Sequence, residues 1–490
     1  MKYLLGIDFG GGASKATLLS ENGEIIATAM CEYPTYYERA GYAEQKPDEW
    51  VEATVKNIKE IIKKSGVNAK EITALALDAA THTAVITDEN FNVIRPAIYW
   101  TDIRCEKEVE YLKENYLGII ASKVLHTPDT IWSLPELMWI KNNEPHNWEK
   151  TKHILFAKDY VRHFFTDDFV TDYIEAEGSM LFDINTLRWS DELISILGID
   201  ETILPQVVKP TDIVGKVSKK AADITGLSEK TYVICGTTDT VMEIFASGAV
   251  NKGDITLKLA TAGRICVITD KPYPDKNLIN YSHIIDGMFY PGTATKSCAA
   301  SLRWFRDTFG GDYKELDKDA EKIEIGSNGL VFHPYLNGEL TPYSNPKLCG
   351  DFTGIRALHT KAHFTRAVLE GVAMSMLDCM TTLDALNIKH NDNAVIIGGG
   401  GKSPLWRQIV SDALGIKLIE MKYADSSLGS AMLAGIAMGI FENPYQAVKI
   451  CNEIVSETCP NQDNHIKYKK LYKKYKAIAK ALEPIYNKEF

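Results

Sequence analysis

Residues 6–15 read GIDFGGGASK: an apolar run ends in Asp8, glycines occupy positions 10–12, and Lys15 follows. A carboxylate, bare backbone amides and an ammonium group this close together suit the handling of a phosphate and its metal. Two common phosphate motifs fail on spacing. GxxxxGK[ST] needs Lys directly after its last Gly, but Lys15 follows Ser14. GxGxxG accepts Gly10 and Gly12 but meets Lys15 at its third glycine, and the text that follows reads as a strand rather than a helix. Two readings stay open. One is a strand–turn–strand hairpin whose amides at Gly10, Gly11 and Gly12 face a phosphate tail, with Asp8 holding Mg²⁺ through water. The other is a glycine-rich hairpin with no ligand.

Two further stretches fit a nucleotide. In GDITLKLATAGRICVITD the small-residue turn Ala260 to Gly263 joins two strand-like runs. Thr261 offers a hydroxyl there, and Gly263 allows close backbone approach. IIGGGGKSPLWRQ places four glycines between a strand and a helix. Gly399, Gly400 and Ser403 would border a flat adenine and its ribose, although glycines at such a turn also serve the turn alone.

These residues need elements to hold them. Residues 3–9, Ala13 to Ser20 and Glu24 to Met30 read as meandering strands, with Glu21-Asn22-Gly23 as a hairpin turn. Pro47 to Lys64 has helix spacing through Trp50, Val51, Thr54, Val55, Ile58, Ile61 and Ile62, with Pro47 at its start and Gly66 at its stop. Ile72 to Asp78 is a buried strand. The later run repeats the plan: strands around 260–263, AVIIGGGG, a helix from Ser403 to about Leu414, a strand at Ile416 to Ile419 and a helix from near Ser427. The expected fold class is α/β, in two domains of related plan, 1–248 and 249–490. In the tail, Tyr468, Leu471, Tyr472, Tyr475, Ile478 and Leu482 share one helical face, which predicts a helix packed on the second domain.

Composition narrows the partners. With 45% hydrophobic and 24% charged residues the chain is an ordinary globular one, and its net charge of −11 argues against nucleic acid or an anionic membrane as general partner. No apolar run approaches the ~20 residues that span a bilayer. The nine cysteines are scattered, odd in number and never in a CxxC pair, which predicts reduced thiols in a cytoplasmic protein and no structural zinc site.

At this point the residues resemble the FGGY family of carbohydrate kinases, from about residue 3 to 440. GDFTGIRALHTKAHFTRAVLEG (Gly350 to Gly371) fits the family's C-terminal signature. YLNGELTPYSNP, GYAEQKPDEW, WTDIR and AKDYVR are similar to further family stretches and occur in the family's order. The resemblance implies two ribonuclease-H-like (actin-like) domains around a deep cleft, and ATP-dependent phosphorylation of a sugar or polyol hydroxyl. Its Gly-x-x-Asp motif falls on Gly236 and Asp239, which makes Asp239 the general base. A hydroxyl that attacks a γ-phosphoryl group must lose its proton, and a carboxylate can accept it. Thr81, His82, Trp100 and Thr240 are the implied sugar contacts beside Asp239. Asp8 with Mg²⁺, together with Gly10 to Gly12, Lys15, Thr261, Gly263, Gly399, Gly400 and Ser403, would hold ATP. The expected partners are a sugar and ATP, with a homodimer compatible and neither nucleic acid nor membrane.

Departures from the family pattern are informative. Gly11 stands where the family usually has Thr, and LATAG replaces LGTSG. Glu136 stands where Lys is common, and Thr81 and Thr83 flank His82 in place of Met and Gly. Xylulose is the expected substrate. Ribulose, gluconate and glycerol are alternatives, and a sensor that has lost catalysis is the rival from another class. Backbone amides are expected to keep the phosphate site working, and Gly11→Thr is expected to be tolerated.

Overall fold

The structure, a computed structural model, describes residues 1–488. In chain order the elements used below begin with β1 (Tyr3–Phe9), β2 (Ala13–Ser20), β3 (Ile25–Glu32), α1 (Pro47–Ser65), β4 (Ile72–Ala79), β5 (Ile213–Lys216), β6 (Tyr232–Ile234), β7 (Thr237–Thr238) and α2 (Asp239–Ala246). They continue with β8 (Ile255–Leu259), β9 (Gly263–Val267), β10 (Gly292–Thr295), α3 (Ala299–Phe309), α4 (Lys361–Ala385), β11 (Asn393–Ile397), α5 (Pro404–Leu414), β12 (Lys417–Met421), α6 (Ser426–Ala437), β13 (Ile454–Thr458) and α7 (Gln462–Tyr486).

Two compact units result, and neither is continuous in sequence. The first holds residues 1–250, 281–287 and 423–452; the second holds the other described residues. The first unit's sheet runs β5-β6-β4-β1-β2-β3, with β7 also on β4. β1, β2 and β3 form an antiparallel meander, β4 lies parallel to β1, β6 parallel to β4, and β5 antiparallel to β6. The second unit repeats these strand senses in β10-β9-β8-β11-β12-β13.

Local chemistry accounts for the elements. β1 (YLLGIDF) is apolar up to Asp8 and buried along nearly its whole length, as a central strand covered on both faces must be. α1 starts with Pro47 and carries Asp48 and Glu49 in its first turn and Lys63 and Lys64 in its last. It stops at Gly66 in the left-handed region (φ 65°). Its apolar stripe at Trp50, Ile58 and Ile61 joins Leu5, Ile7, Leu18, Leu75 and Leu77 in the first core. In the second unit α4 is buried through most of its length. Arg366 pairs with Glu370 at 2.9 Å, and the Tyr468 hydroxyl accepts from Arg366. Tyr468 and Tyr475 are fully buried, so the tail helix α7 packs on this core by the face its sequence predicts.

One contact sets the position of α6 on β1. A Cβ at Gly6 would lie 1.8 Å from the Ser427 carbonyl oxygen and 2.4 Å from the Ala431 nitrogen, both backbone atoms that cannot move alone. Gly6→Ala is therefore expected to destabilise the protein by about 3 kcal/mol or more, at the upper end of the usual overpacking range. Chemical denaturation should read this loss, and an unchanged midpoint would show that α6 can step away from β1.

Candidate active site

β1 and β4 lie in parallel register with Asp8 beside Asp78. Both carboxyls are buried. The Ser430 hydroxyl from α6 donates to Asp78 Oδ2 at 2.5 Å. The two carboxyls meet each other, and neither Asp8 Oδ1 nor Asp78 Oδ1 has another hydrogen-bond partner among the described residues. Burial, then the negative charges of Asp239 and Asp425, push Asp8 up to about 7. Burial and the Asp8 carboxyl likewise raise Asp78 well above the usual carboxylate range.

Asp239 completes the acidic group. It is the first residue of α2, half-buried, and accepts a hydrogen bond from the Thr240 hydroxyl at 3.2 Å. The turn before it requires glycine. Gly236 has φ +76°, and a Cβ there would sit 1.9 Å from the Leu77 carbonyl oxygen. The AKDYVR stretch fastens this turn from below. Arg162 Nη1 donates to the Cys235 carbonyl at 2.8 Å and to Asp159 at 2.7 Å. Lys158 pairs with Asp172 at 2.9 Å, and Asp172 accepts from the Thr237 hydroxyl at 2.7 Å.

The glycine loop between β1 and β2 is fixed through its carbonyls. Gly10 O accepts from the Tyr33 hydroxyl (2.5 Å), Gly11 O from Gln45 Nε2 (2.9 Å), and Gly12 O from the Tyr33 amide (3.1 Å). Among the described residues no acceptor is bonded to the N–H of Gly11 or Gly12. Lys15 pairs with Asp425 at 2.9 Å. Burial opposes its charge, but the Asp425 carboxylate outweighs burial and holds the ammonium above its usual value. Asp425 caps α6 by accepting from the Ser427 amide at 3.1 Å. The sequence reading missed Asp425 as a site residue; its signal is the Asp-Ser-Ser run just before a helix, a capping pattern. Against the expectation that Thr is tolerated at position 11, a Cβ there would lie 2.5 Å from the hydroxyl of the buried Tyr99, so Thr requires that phenol to shift.

His82 has a left-handed backbone (φ 55°), uncommon for a residue with a Cβ and typical of strained functional positions. Its amide donates to Glu175 Oε1 at 2.5 Å and its carbonyl accepts from Ser133 at 2.6 Å, so both peptide groups are held. The ring meets Trp132 edge-on, with centroids 4.9 Å apart, and Trp132 stacks on His126 at 4.1 Å. Burial lowers His82 to about 3, and burial with the neighbouring His82 lowers His126 to about 3, so both imidazoles are neutral at physiological pH. Sequence reasoning passed over His126 and Trp132, which lie some 45–50 residues beyond His82. Thr81 is half-buried in the same turn. Trp100 is 43% exposed and so is not a core residue.

In the second unit Thr261 is exposed, and its carbonyl accepts from the Cys298 amide (3.0 Å) at the start of α3. Gly263 is packed: a Cβ would lie 2.7 Å from Thr295 and 2.8 Å from the Met376 sulfur. Gly399 is open, whereas Gly400 is packed against Leu259 and Trp406. The Ser403 hydroxyl caps α5 by accepting from the Trp406 amide (3.1 Å).

Residues 3–246 match the N-terminal domain of the FGGY family of carbohydrate kinases, and residues 231–438 match its C-terminal domain. The chain belongs to this family: it is an ATP-dependent sugar kinase with the two-domain, actin-like fold. It is 32% identical over 487 residues to a xylulose kinase of Bacillus subtilis, covering 98% of this chain and 97% of that one. It is 30% identical over 499 residues to a gluconokinase of the same organism, covering 99% and 97%. The structure of a ligand-bound xylulose kinase from Lactobacillus acidophilus superposes with a TM-score of 0.93 at 24% identity, covering 99% of each chain. No helix among the described residues is long and apolar enough to cross a membrane.

The depressed histidines have a measurable consequence. In the unfolded chain each is protonated below about pH 6.5, whereas in the fold each stays neutral down to about 3. Stability is therefore lost as pH falls from 6.5 towards 3, by about 1.4 kcal/mol per pH unit for each group. His126→Phe keeps the stack on Trp132 and removes one such group. Between pH 6.5 and 5 the variant is expected to lose about 2 kcal/mol less than the wild type in denaturant titrations. Parallel losses in the two proteins would show that His126 is solvated.

Proposed function

We propose that the protein transfers the γ-phosphoryl group of ATP to a terminal hydroxyl of a neutral open-chain sugar, D-xylulose first among candidates, with Asp239 as general base. The observation that carries this is the meeting of Asp8, Asp78 and Asp239 beside a glycine loop whose carbonyls are all engaged and whose amides at positions 11 and 12 are not. Asp239 accepts the sugar proton as the oxygen attacks phosphorus, and the Thr240 hydroxyl orients the carboxylate. The loop amides and Lys15 bind the phosphate tail by charge and position, which is most of what phosphoryl transfer asks of a protein.

A divalent cation fits this site. Two buried carboxyls that meet only each other at Oδ1, one of them raised to about 7, are stabilised when a cation replaces the proton between them. Asp8 and Asp78 would hold Mg²⁺, which keeps most of its waters and takes phosphate oxygens as further ligands. When bound, the ion neutralises charge on the phosphates of ATP.

Similarity to xylulose kinases along the whole chain supports a ketose. Neutral His82 and His126 favour it over gluconate, since an uncharged imidazole can hydrogen-bond a hydroxyl but offers a carboxylate no charge. ADP release measured with D-xylulose, ribulose, gluconate and glycerol should give the highest kcat/KM for D-xylulose. A higher value for gluconate would remove the substrate assignment and leave the kinase intact. Asp239→Asn is expected to lower kcat on the order of 10²–10⁴-fold with sugar binding retained in calorimetry. Near wild-type turnover in that variant would displace Asp239 as the base.

A further inference from the structure

The space beside Gly11 is not empty. A Cβ built on Gly11 would lie 2.5 Å from the Tyr99 hydroxyl oxygen and 3.6 Å from the ring carbon that bears it. The phenol oxygen thus stands where a side chain at position 11 would project from the phosphate loop. The placement is built into the unit. Tyr99 is only 5% exposed and clusters with Ala43 and Ala80. Its amide donates to the Ala43 carbonyl at 2.9 Å, and its carbonyl accepts from the Asp102 amide at 2.7 Å. Asp102 is held in turn by Arg104 at 2.7 Å, so the segment that carries the ring is braced by a buried ion pair.

The hydroxyl is also a donor in the right surroundings. Burial keeps it protonated far above physiological pH; a hydrogen bond from Trp100 opposes this and the negative charges of Asp239 and Asp8 add to it, so the oxygen accepts from Trp100 and its proton remains to be donated. Those two carboxylates belong to the proposed reaction centre, and the same hydroxyl lies against Gly11 of the loop. A family loop with Thr at this position carries a hydroxyl on the loop itself; here the loop has none.

We propose that the Tyr99 hydroxyl donates a hydrogen bond to the phosphoryl group in transfer, in the place of the hydroxyl that Gly11 lacks. The inference rests on the kinase reading of the site. It treats Gly11 and Tyr99 as one exchanged pair: the glycine makes room, and the phenol restores the donor. A preorganised donor aimed at developing charge typically contributes on the order of 10²-fold to turnover.

Three variants test it: Tyr99→Phe, Gly11→Thr, and the double variant Gly11→Thr/Tyr99→Phe. Tyr99→Phe keeps the ring and removes one oxygen, so its melting temperature should match the wild type. Its kcat should fall on the order of 10²-fold with the sugar KM unchanged. Gly11→Thr alone places a side chain against the buried phenol oxygen and should lose activity as well. In the double variant the nearest ring atom is left 3.6 Å from the new Cβ, an ordinary contact, and the hydroxyl now sits on the loop. Its kcat should exceed that of either single variant and approach the wild type. Wild-type turnover in Tyr99→Phe, or a double variant no better than Tyr99→Phe, overturns the proposal and leaves the kinase reading standing. A wild-type protein that releases no ADP with any sugar overturns both.

Discussion

The first unit is organised around two carboxyl groups side by side inside a sheet. Placing Asp8 against Asp78 in adjacent parallel strands buries like-charged groups with little water to screen them, an arrangement that costs stability unless a proton or a cation sits between them. Everything close by is fitted to it. α6 is drawn onto β1 until only glycine fits at position 6, and that approach brings Ser430 to Asp78 and Ser427 to within 2.7 Å of the Thr17 hydroxyl. The same helix begins at Asp425, whose carboxylate meets Lys15. A buried acidic pair is poor building material, and the proposed cation would offset its cost.

The stretches that mark the family along the chain turn out to be mostly braces. Glu44 and Gln45 lie in a short strand paired with Ala97 and Ile98. From there Gln45 holds the glycine loop and the Trp50 indole, while Glu44 pairs with Arg104 at 2.7 Å and also with Arg95. WTDIR contributes Asp102 and Arg104 to the same network, and AKDYVR anchors the turn that delivers Asp239. These are ionic groups buried in closed networks, where removing one partner strands the other. Glu136, standing where Lys is common, shows the strain this allows: burial and Asp102 raise its carboxyl, with Arg104 and Arg95 acting against them.

Much of this was legible in the residues. The meander, α1, β4 and the later strand–helix succession could be read because their signals are local: alternation or helical spacing of apolar residues, Pro at a start, Gly at a stop. Asp8, Lys15, His82 and Asp239 could be picked out because each closes or follows such an element in a recognisable motif. Tyr99, His126 and Trp132 could not, nor could the pairing of Asp425, whose capping run shows only a helix start: 410 residues separate it from Lys15. No spacing rule spans that distance. Ser403 was legible as a residue and ambiguous as a role, because a helix cap and a ligand contact use the same side-chain oxygen.

The residues alone carried the kind of protein: two α/β units of one strand plan, and the ordered motifs that mark the family. Both rest on local patterning and motif order. Tertiary structure alone decided that residues 423–452 return to the first unit, that Asp8 and Asp78 share a register, and that a phenol fills the place beside Gly11. The physical reason is the same in each case. Backbone propensity and hydrophobic period act over a few residues, whereas close packing and buried charge are settled between segments that the chain order leaves far apart.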